Sequence, residues 1–283
     1  MSRPIVKKVI EANIQVHSRL AVDYQKTEPH FRQENVSRVS KNVQALIQES
    51  KPVDVLDLGC GTGFMINILR PYARRIVGVD VTQAMLDQVD TSGPAKIELH
   101  NHDAGSFPAE PSGFHLVTAY SFLHHLADLE ATLRTAYQAL TLGGKFYADL
   151  DPNFYFWNAI ASLENPDTWH EVVQREFMAT CKKDEEIQKK FGIPQEVFQH
   201  AEYGKDFSGG FKEEDLKKLL HKVGFSRVEF QYHWFLGQSA LINSGAAPRE
   251  TLMNTSATVD TILQNALPLS RSLFKYLGFV ATR

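Results

Sequence analysis

The stretch "DLGCGTG", residues 57–63, constrains the fold of this chain more than any other. Three glycines in five positions directly follow an apolar run. Glycine at that density weakens helix and strand alike. The segment therefore reads as a tight turn whose backbone must be approached closely, with no side chain in the way.

The pattern around this turn alternates. Apolar strands are expected at 53–58, 75–80, 96–103, 114–121 and 145–151, with helices at 64–73, 82–90 and 129–140 between them. Thr82 is placed to cap the second of these helices, and Gly143 and Gly144 to stop the third. Strands alternating with helices of this length predict βαβ units and a parallel sheet. Such a sheet binds ligands beyond the carboxyl ends of its strands. Amphipathic helices are expected over 4–22 and 35–49. After residue 208 the rhythm resumes with a helix over 211–225, a strand over 227–235, a helix near 256–266 and a last strand at the end. Gly224 is placed as a C-cap. The stretch 152–208 breaks the rhythm; it is long, aromatic and helical in pattern. Four segments follow: an N-terminal helical cap (1–50), a core (51–151), a helical insertion or lid (152–208) and a C-terminal completion of the sheet (209–283). The fold class is α/β, a Rossmann-like, mostly parallel seven-stranded sheet with helices on both faces.

Composition narrows the function. A net charge of −3 argues against a surface built mainly for nucleic acid. Two cysteines, Cys60 and Cys181, cannot form a disulfide framework. No run of apolar residues reaches membrane-spanning length. The expectation is a soluble, cytoplasmic protein, monomer or homodimer.

A dinucleotide turn wants G-x-G-x-x-G, but Phe64 stands at the third glycine position, which disfavours a nicotinamide-dependent oxidoreductase. "DLGCGTG" instead resembles motif I of the class I S-adenosylmethionine (SAM)-dependent methyltransferases. "RIVGVD" (75–80), "DVTQAML" (80–86), "HDAGSFP" (102–108), "FHLVTAYSFLHHL" (114–126) and "ALTLGGKFYADL" (139–150) are similar, in order, to that family's following motifs, the last two in its small-molecule, quinone-methyltransferase-like branch. His115 departs from the pattern, standing where the family usually has an Asp. "DPNF" (151–154) resembles the acid-Pro-Pro-aromatic motif of nucleic-acid amino methyltransferases, but it follows the wrong strand and lacks the second proline.

The resemblance implies SAM as cofactor, S-adenosylhomocysteine as product and no metal. It implies cofactor contacts at Asp57, Gly59, Cys60, Gly61, Gly63, Asp80, Val81, Met85, Asp103, Ala104 and Tyr120. Asp57 would lie near the ammonium of SAM, Asp80 on the ribose hydroxyls, Met85 against the adenine and Asp103 at its amino group. The implied reaction is in-line displacement at the SAM methyl by a small, aromatic or hydrophobic acceptor. Alternatives are an RNA or protein methyltransferase and a SAM-binding protein with a regulatory role. Positioning alone can supply roughly 7–11 kcal/mol of the barrier, so a general base is optional. Candidate bases are His124 and His125, whose type titrates near neutrality. Tyr24 and His30 could close over the site from the N-terminus. The aromatics Tyr155, Trp157 and Trp234 are expected to hold the acceptor, with Phe230, Tyr232 and Trp234 on one strand face.

Overall fold

The computed structural model of the protein describes residues 3–47 and 52–283. The end of the helix expected over 35–49 and the segment boundary expected at 50/51 lie outside the described residues.

Seven strands form one sheet: β1 (Val53–Leu58), β2 (Ala73–Asp80), β3 (Lys96–Asn101), β4 (Phe114–Tyr120), β5 (Leu140–Pro152), β6 (Arg227–Phe235) and β7 (Phe274–Thr282), in the order β3-β2-β1-β4-β5-β7-β6. The pairings are parallel from β3 to β5, and β7 is antiparallel to both its neighbours. This is the Rossmann-like, mostly parallel sheet that the alternating pattern predicts. The strand order reverses between β1 and β4. Open sheets of this kind hold ligands at that switch point, outside the carboxyl ends of the strands.

The first helices are α1 (Arg3–Leu20), α2 (Tyr24–Thr27), α3 (Gln33–Leu46), α4 (Phe64–Leu69), α5 (Gln83–Leu86) and α6 (Leu129–Ala139). The insertion supplies α7 (Phe154–Ala161), α8 (Glu171–Cys181), α9 (Lys183–Phe191), α10 (Gln195–Ala201) and α11 (Tyr203–Asp206). After it come α12 (Glu213–Val223), α13 (Gln238–Ile242) and α14 (Arg249–Asn265). Leu133 and Ala136 of α6, with Leu216 and Leu220 of α12, pack against Leu56, Leu58 and Phe146 on one sheet face. Val39 and Val43 of α3, with Met65 and Ile66 of α4, pack against Val55, Ile76 and Tyr147 on the other. Coverage on both faces explains why every residue of β1 is buried.

Four local expectations are corrected. The helix expected over 82–90 is the single turn α5. Thr82 caps it by position only: its side chain makes no capping bond, and its N–H is held by the Asp80 carboxylate. α6 ends at Ala139 without help from the glycines, which lie inside the first part of β5. α14 begins at Arg249, directly after Pro248, because proline is well suited to a helix entrance.

The insertion has a narrow neck. Phe154 N–H donates to Phe211 O (3.0 Å) and Phe211 N–H to Pro152 O (2.8 Å). Beyond the neck its helices pack onto the N-terminus. Ala12 and Val16 of α1 share a buried cluster with Ile187, Ile193, Phe198 and Ala201.

Candidate functional site

A cleft partly open to solvent lies at the switch point. Its floor is the turn after β1. Gly59 and Gly61 have φ of +69° and +51°, a region that costs an L-residue about 1–2 kcal/mol. Their neighbours differ. A Cβ on Gly59 would sit 2.1 Å from the Phe122 ring, so the close approach there is made by a side chain of the same chain. A Cβ on Gly61 would meet only Met85 Cε, at 3.6 Å, so this backbone faces open cleft. Gly61→Ala is therefore expected to lower the unfolding free energy by about the left-handed strain alone, about 1–2 kcal/mol, in chemical denaturation. A larger loss would mean that the turn is more crowded than this. Gly63 is a correction: it starts α4, faces Val89 and does not line the cleft.

The other ten expected cofactor residues do line it: Asp57, Gly59, Cys60, Gly61, Asp80, Val81, Met85, Asp103, Ala104 and Tyr120. Asp80 ends β2. Its Oδ2 accepts from Gly61 N–H (2.9 Å) and its Oδ1 from Thr82 N–H (2.8 Å), so one carboxylate pins both loops of the cleft. Burial raises its pKa against those bonds. Asp57 stands beside Thr118 across β1 and β4, and its Oδ1 accepts from Thr118 Oγ1 (2.7 Å). Its Oδ2 is buried with no partner, and burial pushes the carboxyl up to about 7. An orphaned carboxylate oxygen at a cleft wall suits a cationic ligand group. Asp103 Oδ2 accepts from Ser106 Oγ (2.8 Å). Burial raises the Cys60 thiol well above its usual range, which leaves it an unreactive wall residue.

The far wall comes from the N-terminus. Ile10, Asn13 and His17 of α1, Tyr24 of α2, and His30 and Phe31 after it face the turn that follows β4. Tyr24 and His30 thus both line the cleft. Burial raises the Tyr24 hydroxyl well above its usual range and lowers His30 to about 4. Tyr120 lies tilted against Phe64 with centroids 4.5 Å apart, and its hydroxyl accepts from Asn35 Nδ2 (2.7 Å). Behind it Arg38 donates to Asp149 Oδ2 (2.8 Å), which also accepts from Tyr147 (2.6 Å).

The two histidines part company. His125 lines the cleft; His124 does not. His124 is buried against Asp151, with Nδ1 2.8 Å from Oδ1, and burial lowers it to about 4. His125 is also lowered, by burial first and His124 second. Neither keeps the near-neutral titration expected of its residue type, because both rings have left water. His124, His125 and Glu202 bring donor atoms within 4.8 Å of one another, and the Lys205 ammonium, 2.7 Å from Glu202, already brings a positive charge to that cluster.

The three aromatics expected at the acceptor do not line this cleft. Tyr155 donates to Glu214 Oε2 (2.7 Å) with Arg271 stacked 3.7 Å over its ring. Trp157 donates to Lys275 O (2.9 Å) and packs with Phe156 and Ile160 as the core of the insertion. Trp234 has φ +58°, which breaks the alternation of β6. Tyr232 and Phe235 then share one cluster, while Trp234 meets Tyr276 on the other side. The residues the sequence reading missed are Asn13, His17, Asn35, Arg38 and Glu202. One signal existed: Asn13 lies on the buried stripe of α1 with Val9, Ala12 and Val16, an unusual place for an amide.

Residues 55–144 match the family model described as a methyltransferase domain. A probable SAM-dependent methyltransferase of Mycolicibacterium smegmatis is 25% identical over 131 residues, 46% of this chain and 51% of that protein. A ubiquinone biosynthesis O-methyltransferase of Aromatoleum aromaticum is 29% identical over 106 residues, 35% of this chain and 45% of that protein. The chain thus spans about half the length of these curated relatives. The solved SAM-dependent methyltransferase of Mesorhizobium loti superposes with a TM-score of 0.52 at 18% identity, over 88% of this chain and 100% of that one, and shares its fold. The ordered motifs, the seven-stranded sheet and the matched model thus agree: residues 55–144 form a methyltransferase domain, and the chain has the fold of solved SAM-dependent methyltransferases.

Proposed function

We propose that this chain binds SAM in the cleft at the switch point and transfers its methyl group to a small-molecule acceptor. The observation that carries this reading is the buried, unpartnered Oδ2 of Asp57, in one cleft with Asp80 and Asp103. Asp57 would hold the ammonium, Asp80 the ribose hydroxyls and Asp103 the adenine amino group, with Met85 beside the ring. SAM, when bound, supplies a methyl group already activated by its sulfonium. The chain supplies position and exclusion of water, which can carry most of the rate.

The acceptor would enter against the N-terminal wall. Asn13, His17, Tyr24, His30 and His125 converge there, and among the described residues none that lines the cleft is Lys or Arg. An acceptor of small size and no strong negative charge fits this lining. The naming of relatives as ubiquinone biosynthesis O-methyltransferases supports a ring-bearing one. His125 is the proposed proton acceptor. No helix among the described residues is long and apolar enough to cross a membrane.

Calorimetry and thermal shift with SAM, S-adenosylhomocysteine and NADH test the cofactor. SAM and its product are expected to bind and NADH not. Turnover of labelled SAM with small phenols and amines, with RNA and with protein then separates acceptor classes. Binding without turnover on any of these would favour a regulatory SAM sensor, and no SAM binding would end the proposal.

A further inference from the structure

We propose that the insertion acts on the site through His125: the Ala201 carbonyl fixes which ring nitrogen is free, and Glu202 is a positioning residue that stabilises the ring once it takes a proton. This rests on the reading of His125 as proton acceptor.

The geometry is specific. His125 Nδ1 lies 2.7 Å from Ala201 O, at the end of α10. A carbonyl can only accept, so Nδ1 carries the hydrogen and Nε2 holds the lone pair. Glu202, the next residue, faces both histidines. Its Oε1 is 3.9 Å from His125 Nδ1 and its Oε2 is 3.9 Å from His124 Nε2. Lys205 holds Glu202 at 2.7 Å and touches Asp206 at 3.6 Å. The insertion comes this close through Gly204, where an added Cβ would sit 3.0 Å from both Cα and O of His124. The other groups around His125 are His17 of α1, edge-on with centroids 5.0 Å apart, and His124, whose Nδ1 is on Asp151. Asn13 Nδ2 donates to His125 O (3.2 Å) and fixes the backbone.

The sequence of charges follows. A proton leaves the acceptor nucleophile for His125 Nε2, and the bonding pair stays on the nucleophile. The ring becomes cationic inside a buried cluster. Glu202 is its nearest anion, because Asp151 is spent on His124. Burial pushes Glu202 up, but the Lys205 ammonium at 2.7 Å outweighs that and holds it ionised, well below the usual carboxylate range. An insertion that appears in the sequence as an acceptor lid thus reaches the chemistry as a support for the base.

The test is histidine ring NMR on the ¹⁵N-labelled full chain, with SAM binding followed separately by calorimetry. In the unmutated protein His125 is expected as the Nδ1–H tautomer. Lys205→Gln leaves Glu202 uncompensated and is expected to raise the proton affinity of His125 about tenfold. The double variant Glu202→Gln/Lys205→Gln is expected to abolish that rise. An Nε2–H tautomer in the unmutated protein overturns the proposal, as does a His125 titration indifferent to both charges. The tautomer needs no variant, so a misfolded Lys205→Gln protein still leaves a decisive result. Loss of SAM binding in the unmutated protein would instead refute the proposed function and leave the tautomer result standing.

Discussion

Asp57→Asn is expected to stabilise the protein strongly at pH 8 and to weaken its hold on SAM. The Asp57 carboxyl is fully buried, one of its oxygens has no partner, and burial outweighs the Thr118 bond to lift it to about 7. In the unfolded chain the group titrates near 4. Between those values the folded state holds a proton that the unfolded state has released. Stability therefore falls as pH rises from about 4 to about 7, and above that the full cost is present. Roughly three pH units correspond to about 4 kcal/mol. The asparagine carries no such cost. Its amide leaves a buried N–H group, a penalty of about 1–3 kcal/mol that does not vary with pH. The gain of the variant over the unmutated protein should thus be about 4 kcal/mol larger at pH 8 than near pH 4, in thermal or denaturant melts. A gain equal at both values would mean that Asp57 titrates as an ordinary carboxylate. The same titration predicts that SAM binds the unmutated protein more tightly as pH rises through about 7, since an ionised Asp57 attracts the ammonium.

Asp80→Ala is expected to weaken SAM about tenfold to a hundredfold. A hydrogen bond to a charged group contributes about 1.5–3 kcal/mol, and each 1.4 kcal/mol is tenfold in affinity. The structure adds a second reason. The carboxylate receives the N–H groups of both Gly61 and Thr82, so its removal releases the glycine turn and the loop after β2 together. Asp80→Asn has one acceptor oxygen left and can serve only one of these groups. It should retain part of the affinity and fall between the two proteins in calorimetry. Unchanged affinity in the alanine variant would remove Asp80 from the cofactor site.

The glycine turn, the strand ends and the acids on them were legible in the sequence because they are local facts. An acid that closes a parallel strand lies at the ligand edge whatever the rest of the chain does, and Asp57, Asp80 and Asp103 needed only strand assignment to be placed. Gly63 shows the limit: its spacing is that of the motif, yet the turn aims it at Val89. Aromatic residues carry no such address. Tyr155 and Trp157 have the composition of a binding wall, but α7 rotates them toward Glu214 and Lys275. Trp234 left its predicted face through a single left-handed φ, which no periodicity reveals.

By itself, then, the sequence determined the order of the strands along the chain, the turn on which the cleft is built and the carboxylates at its rim. Only tertiary structure decided the other wall. Asn13, His17, Tyr24 and His30 reach the cleft because α1 packs on α10, more than 170 residues away along the chain (Ala12 against Ala201, in one cluster). The state of His125 depends on a carbonyl and a carboxylate 76 and 77 residues further on. Its proton affinity is set by burial, and burial belongs to the packed chain rather than to any stretch of it.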